Sequence, residues 1–113
     1  MENWKEIMAK VLETEYCPEF DEKRKKALVM SFHKYGYMAN NYGKGAEHPI
    51  NAIETAKERI RLFEETGNAE FLAAGANQLM IEFKHPSHPN YHYAPKDSGA
   101  SPGLIAKNGQ RMK

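Results

Sequence analysis

A small group of side chains near the end of this chain has the types and spacing to grip an anion. Lys96-Asp97-Ser98-Gly99-Ala100-Ser101-Pro102-Gly103 brings one ammonium, two hydroxyls and several backbone N–H groups within reach of one another, and such a loop can cradle a phosphate. It is not a P-loop, which requires Gly-x-x-x-x-Gly-Lys-Ser/Thr running into a helix. Just upstream, Tyr91 and Tyr93 offer flat faces on which a base could stack, and His92 lies between them. Together with Asn77 and Arg61, the residues Lys96, Ser98, Ser101, Tyr91, Tyr93 and His92 form the candidate ligand-binding set.

Other clusters read more simply as structure. Paired acids on two helices can hold Mg²⁺ for nucleotide hydrolysis, and Glu54 and Glu58 stand one turn apart. They share a helical face with Arg61 and Glu65, however, which is the pattern of solvated i,i+3 and i,i+4 pairing. Glu19 and Glu22 sit at a helix start, where acids favour the macrodipole. His85, His88 and His92 have a spacing compatible with a metal, but structural zinc sites usually take four ligands, often with cysteine. Cys17 is the only cysteine, and no adjacent base would activate it, so it reads as a small buried apolar residue. The run Lys23-Arg24-Lys25-Lys26 spreads around a helix at about 100° per residue and presents no single basic face. No catalytic constellation and no metal or cofactor set is assigned.

The elements that must position these residues are helices. Trp4, Ile7, Met8, Val11 and Leu12 form one stripe of a 3.6-residue repeat behind Asn3 as N-cap. Pro18 ends that segment. A second helix starts near Pro18 or Asp21 and runs towards Met38, with Leu28, Phe32, Tyr35 and Met38 as its inward row and Gly36 weakening its end. Asn40-Asn41-Tyr42-Gly43-Lys44-Gly45 suits a loop. Asn51-Ala52-Ile53-Glu54 has capping-box spacing ahead of Ile53, Ala56, Ile60 and Phe63. Gly67 suits the C′ position and Asn68 the next N-cap, which predicts an antiparallel helical hairpin. The fourth helix carries Phe71, Leu72, Ala76, Leu79, Met80 and Phe83, and stops before Pro86. Its Ala73-Ala74-Gly75-Ala76 run permits close approach of another backbone, either a neighbouring helix or a second subunit, and the face around Gly75 suggests the subunit contact. The expected fold is therefore all-α, a small four-helix bundle or pair of hairpins over 1–84. An extended Pro/Gly/His-rich tail over 85–113 would pack on the helices or on a neighbouring subunit.

Composition narrows the functional classes. The chain has 113 residues, 41% of them hydrophobic and 27% charged, the proportions of one folded domain. A formal net charge of +1 supplies no global field towards nucleic acid or membrane, so an anion site must be local. The start lacks the basic and apolar regions of a signal peptide, and no apolar run approaches the ~18 residues of a membrane span. With a lone cysteine, this predicts a cytoplasmic protein.

The stretch Thr66-Gly67-Asn68, Asn77, Met80-Ile81-Glu82-Phe83, then Lys96-Asp97-Ser98 and Ser101-Pro102-Gly103, resembles a group of small helical phage and prophage proteins. The resemblance covers roughly the C-terminal half and implies action in a host bacterial cytoplasm; it carries over no functional residue. The resulting expectation is a non-enzymatic, homo-oligomeric accessory protein that sequesters a small anionic ligand, such as a nucleotide immune signal, in an anti-defence role. The alternatives are a protein–protein inhibitor of a host defence protein, and a Mg²⁺-dependent nucleotide pyrophosphohydrolase using Glu54 and Glu58.

Overall fold

A computed structural model describes residues 3–95. They form α1 (Trp4–Thr14), α2 (Pro18–Tyr35), the single turn α3 (Met38–Asn41), α4 (Ala52–Thr66) and α5 (Glu70–Lys84), with no strand among the described residues. The all-α class is as expected, with α3 added where the second helix was read as continuous. The break falls at Gly36, whose φ of 81° is a conformation that side chains disfavour. The chain re-enters a helical turn two residues later.

The caps follow residue chemistry closely. The Asn3 side chain accepts from the Glu6 N–H at 2.9 Å, and that of Asn51 accepts from the Glu54 N–H at 3.0 Å. Glu54 does not complete the box; its carboxylate takes Lys57 at 3.2 Å instead. Gly67 closes α4 in the left-handed conformation. Asn68 serves α5 from one position earlier than expected, accepting from the Glu70 N–H at 3.0 Å. Cys17 corrects its sequence reading. It is exposed and acts as N-cap of α2, its sulfur facing the Phe20 N–H at 3.4 Å, with Pro18 pre-set in the first turn.

Helix α5 is the centre of the molecule. It pairs with α4 as an antiparallel hairpin and takes α2 across a second side. The small-residue run explains the closeness: a Cβ on Gly75 would lie 3.5 Å from the Arg59 Cβ and 3.9 Å from the Ala56 carbonyl oxygen. Gly75 of that run is therefore spent on α4 of the same chain, the neighbouring helix rather than a second subunit. The buried apolar residues are Ala52, Ala56, Ala73 and Ile81, three of them alanines, so the core is a seam of close backbones rather than a filled interior.

The inward row of α2 follows expectation only in part, with Leu28 and Met38 half-buried. Ala27, Leu28 and Ser31 are half-buried beside Arg24, whereas Phe32 and Tyr35 are exposed. Position 24 decides the rotation. Arg24 reaches across to Asn77 and the Met80 sulfur on α5, and only residues in phase with it can face the hairpin. Phe32 packs edge-to-face on Tyr37 with centroids 4.8 Å apart. Helix α1 buries none of its residues and is tied to α2 by the Tyr16 hydroxyl donating to Asp21 at 2.8 Å.

Candidate functional site

Between α2 and the hairpin lies a half-open cleft of about 310 Å³, at the lower end of the range for small-molecule sites. Its polar wall comes from Ser31 on α2, Asn41 and Tyr42 at the end of α3, Thr55 and Arg59 on α4, and Gln78 on α5. Leu28, Met38 and Ile81 supply apolar wall, which they share with a neighbouring cleft of similar volume reaching Tyr37, Met80 and His85. The site thus grades from polar to apolar along one continuous surface.

Local geometry fixes these groups. Gly43, with φ of 82°, sits against His85 so tightly that a Cβ would come within 3.0 Å of the His85 carbonyl oxygen, which pins the loop after α3 to the end of α5. That places the Tyr42 hydroxyl 3.3 Å from Gln78 Nε2, which donates to it. The other end of the Gln78 amide, Oε1, is buried without a partner among the described residues. Such an acceptor is costly to leave unmet and calls for a donor.

Among the described residues Arg59 is the one charged side chain on the polar cleft. It is half-buried and makes no hydrogen bond or ion pair among the described residues. The contrast with its neighbours is sharp. Arg24 is paired with Asp21, and Arg61 is bound by Glu58 and Glu65, each at 2.6 Å. The Arg61 hydrogen bonds hold the Glu58 carboxyl below its ordinary value and keep Arg61 firmly protonated.

The residues predicted from sequence are distributed as follows. Asn77 lines the cleft but is 5% exposed; its Nδ2 donates to the Arg24 carbonyl at 2.9 Å and its Oδ1 faces the Arg24 guanidinium at 3.4 Å. Arg61 lies on the solvent face of α4, level with the start of the antiparallel α5. Tyr91 and Tyr93 lie at the opposite end, each edge-on to Phe83 at 6.2 Å, and the Tyr91 hydroxyl donates to the Phe83 carbonyl at 2.7 Å. His92 Nδ1 is 2.8 Å from the Asn90 carbonyl. Lys96, Ser98 and Ser101 lie outside the described residues.

The start of the tail is organised by Glu82. Its carboxylate accepts from the Ser87 N–H at 2.8 Å, the Ser87 hydroxyl at 2.9 Å and the His88 N–H at 3.2 Å. Partial burial pushes the Glu82 carboxyl up, and these donors more than reverse that, leaving it below its usual value. His88 Nδ1 accepts from the Asn90 N–H at 2.9 Å. Among the described residues no group of three or more His, Cys, Asp or Glu side chains is placed to share a metal ion.

Sequence reasoning missed Arg59 because it sought the anion site in the polar tail and chose Arg61 as the residue of α4 to join it. The available signal was spacing: Arg59 lies three residues after Ala56 and so falls on the buried side, while Arg61 does not. Comparison of the chain with protein-family models, with curated proteins and with solved structures gives no match.

Proposed function

We propose that this protein is a binding protein for a small anionic ligand of nucleotide type, held in the cleft between α2 and the α4–α5 hairpin. The observation that supports it is Arg59, a half-buried guanidinium on the cleft wall that makes no hydrogen bond or ion pair among the described residues. Arginine presents a planar fork of donors that matches phosphate oxygens. The unmet Gln78 carbonyl asks for a hydroxyl or amino donor, which a ribose or a base supplies. Tyr35 at the rim, and the apolar wall of Leu28 and Met38, suit a flat ring. No carboxylate lines this cleft among the described residues, and the imidazole of His85 lies on the neighbouring apolar cleft rather than beside Arg59, which favours capture over cleavage. In a phage setting, as the resemblance suggests, the ligand would be a host nucleotide signal withdrawn by sequestration.

The test is titration calorimetry of the full chain with ATP and with cyclic dinucleotides, followed by denaturation and chromatography of the ligand. Binding with the ligand recovered intact is expected. Arg59→Gln is expected to weaken binding roughly 10- to 100-fold, the equivalent of one charged hydrogen bond at about 1.5–3 kcal/mol. Absence of heat from every nucleotide with folded protein refutes the reading, and a cleaved product would return it to an enzyme.

A further inference from the structure

Helix α5 has no ionisable side chain from residue 71 to residue 81. A helix apolar around its circumference belongs in an interior, yet a single chain covers only two sides of this one. At about 100° per residue, the Gly75 contact with Ala56 and Arg59 fixes the orientation of the pair. Ala74, Asn77, Gln78 and Ile81 turn to one side, towards α2 and the cleft. Leu72, Ala76, Leu79 and Phe83, spaced 4, 3 and 4, turn to the other. On α4 the same construction sends Thr55 and Arg59 towards the cleft, and Ile53 and Ile60 away from it. The hairpin therefore has a back face made of Ile53, Ile60, Leu72, Leu79 and Phe83, exposed by 37%, 49%, 41%, 53% and 61%.

We propose that this back face pairs with the same face of a second copy of the chain, two hairpins closing into a four-helix bundle. Taking roughly 150 Å² for an Ile or Leu side chain, the lower end of the aromatic range, and up to about 250 Å² for Phe83, five residues at these exposures present about 360–420 Å². That is about half of the ~800 Å² per partner of a stable interface, before the flanking stems and Ala76 are added. Charge argues for self-pairing over a charged partner. A two-fold contact sets each patch against itself, so a patch of one sign would repel its copy. The stripe on α5 carries no charge at all, and the α4 edge carries both signs in Lys57 and Glu64. The small Ala76 at the centre lets two α5 helices approach closely, while the α4 helices flank them.

Light scattering coupled to gel filtration on the full chain tests the pairing. The expected mass is twice 12.9 kDa. Leu79→Glu is expected to halve that mass while circular dichroism stays helical. Because Leu79→Glu could perturb folding, a second variant keeps the test decisive: Ala76→Cys combined with Cys17→Ser should be captured as a covalent dimer by a short bismaleimide. A monomeric wild type, a folded Leu79→Glu chain that remains dimeric, or failure of the Ala76→Cys variant to cross-link overturns the proposal. So does dissociation by Leu12→Glu on α1 with no effect of Leu79→Glu.

Discussion

Replacing Asn77 by alanine separates two roles that the residue could fill, since it is both buried between helices and on the cleft wall. Its Nδ2 donates to the Arg24 carbonyl, across 53 residues of chain, a direct polar tie between α2 and the hairpin beside the Arg24 guanidinium contacts. Losing a hydrogen bond of this kind costs about 0.5–1.5 kcal/mol. The Arg24 carbonyl keeps its own helical partner, so the full penalty of an orphaned acceptor does not apply. Removing the carboxamide leaves a hole of roughly 40 Å³, worth about 1 kcal/mol. Asn77→Ala should therefore lose about 1.5–2.5 kcal/mol, a large part of the margin of a small domain. In urea unfolding followed by far-UV circular dichroism, that lowers the midpoint by about 1 M for an m-value near ~2 kcal/mol/M. Nucleotide affinity measured well below the transition should change far less than in Arg59→Gln. A wild-type midpoint with abolished binding would refute the reasoning and make Asn77 a ligand residue rather than a tie.

Two further outcomes rest on backbone geometry and on protonation. Gly43→Ala must hold a Cβ at φ of 82° and within 3.0 Å of the His85 carbonyl oxygen, and should cost about 2 kcal/mol or more. Gly75→Ala meets only ordinary contacts, the nearest at 3.5 Å, and gains helix propensity, so it should be neutral or stabilising by about 0.5–1 kcal/mol; thermal melts of the pair would test the contrast. Acid stability should depend on Asp21, whose carboxyl is lowered from 3.8 to about 2 by hydrogen bonds from Arg24 and then Tyr16. A carboxylate depressed in the folded state stabilises above its unfolded value. That contribution is thus present above about pH 4 and fades as pH falls towards about 2, and in Tyr16→Phe it should fade at a higher pH. NMR titration of the Asp21 carboxyl would show it, and an unshifted Asp21 would count against the Arg24–Asp21 geometry.

What was legible in the sequence was whatever a single helix dictates by itself. Asn3, Asn51, Gly67 and Pro18 act locally, through orphan N–H groups, positive φ and a missing donor, and their positions in the structure follow within a residue or so. Rotation about the helix axis was not legible wherever two apolar rows compete. On α2 Phe32 looked inward by hydrophobicity, but the long contact from Arg24 to Asn77 sets the phase and turns that ring outward, while Tyr35, about three turns beyond Arg24, stays at the cleft rim. Polar and small residues decided the packing here, and a hydrophobic pattern does not weigh them. The same reason hid the cleft. Arg59 and Gln78 matter because of what is absent around them, and an absent partner is a property of the folded neighbourhood rather than of spacing. Asn77 was selected from sequence as a ligand residue; it lines the cleft, and its hydrogen bonds also give it a place in the scaffold.

Both proposals meet in α5, and its two sides explain why one helix can serve them without conflict. The side bearing Ala74, Asn77 and Gln78 faces α2, which supplies the polar tie and the far wall of the cleft. The side bearing Leu72, Leu79 and Phe83 faces away from it. A second copy docked on the back of the hairpin would bury apolar surface without occluding Arg59. It would also hold α4 and α5 in register, and Arg59 and Gln78 reach the cleft from those two different helices. The alanine seam between them gives little side-chain interlock to resist sliding. Pairing would therefore contribute rigidity to the site that the small core of one chain does not supply by itself.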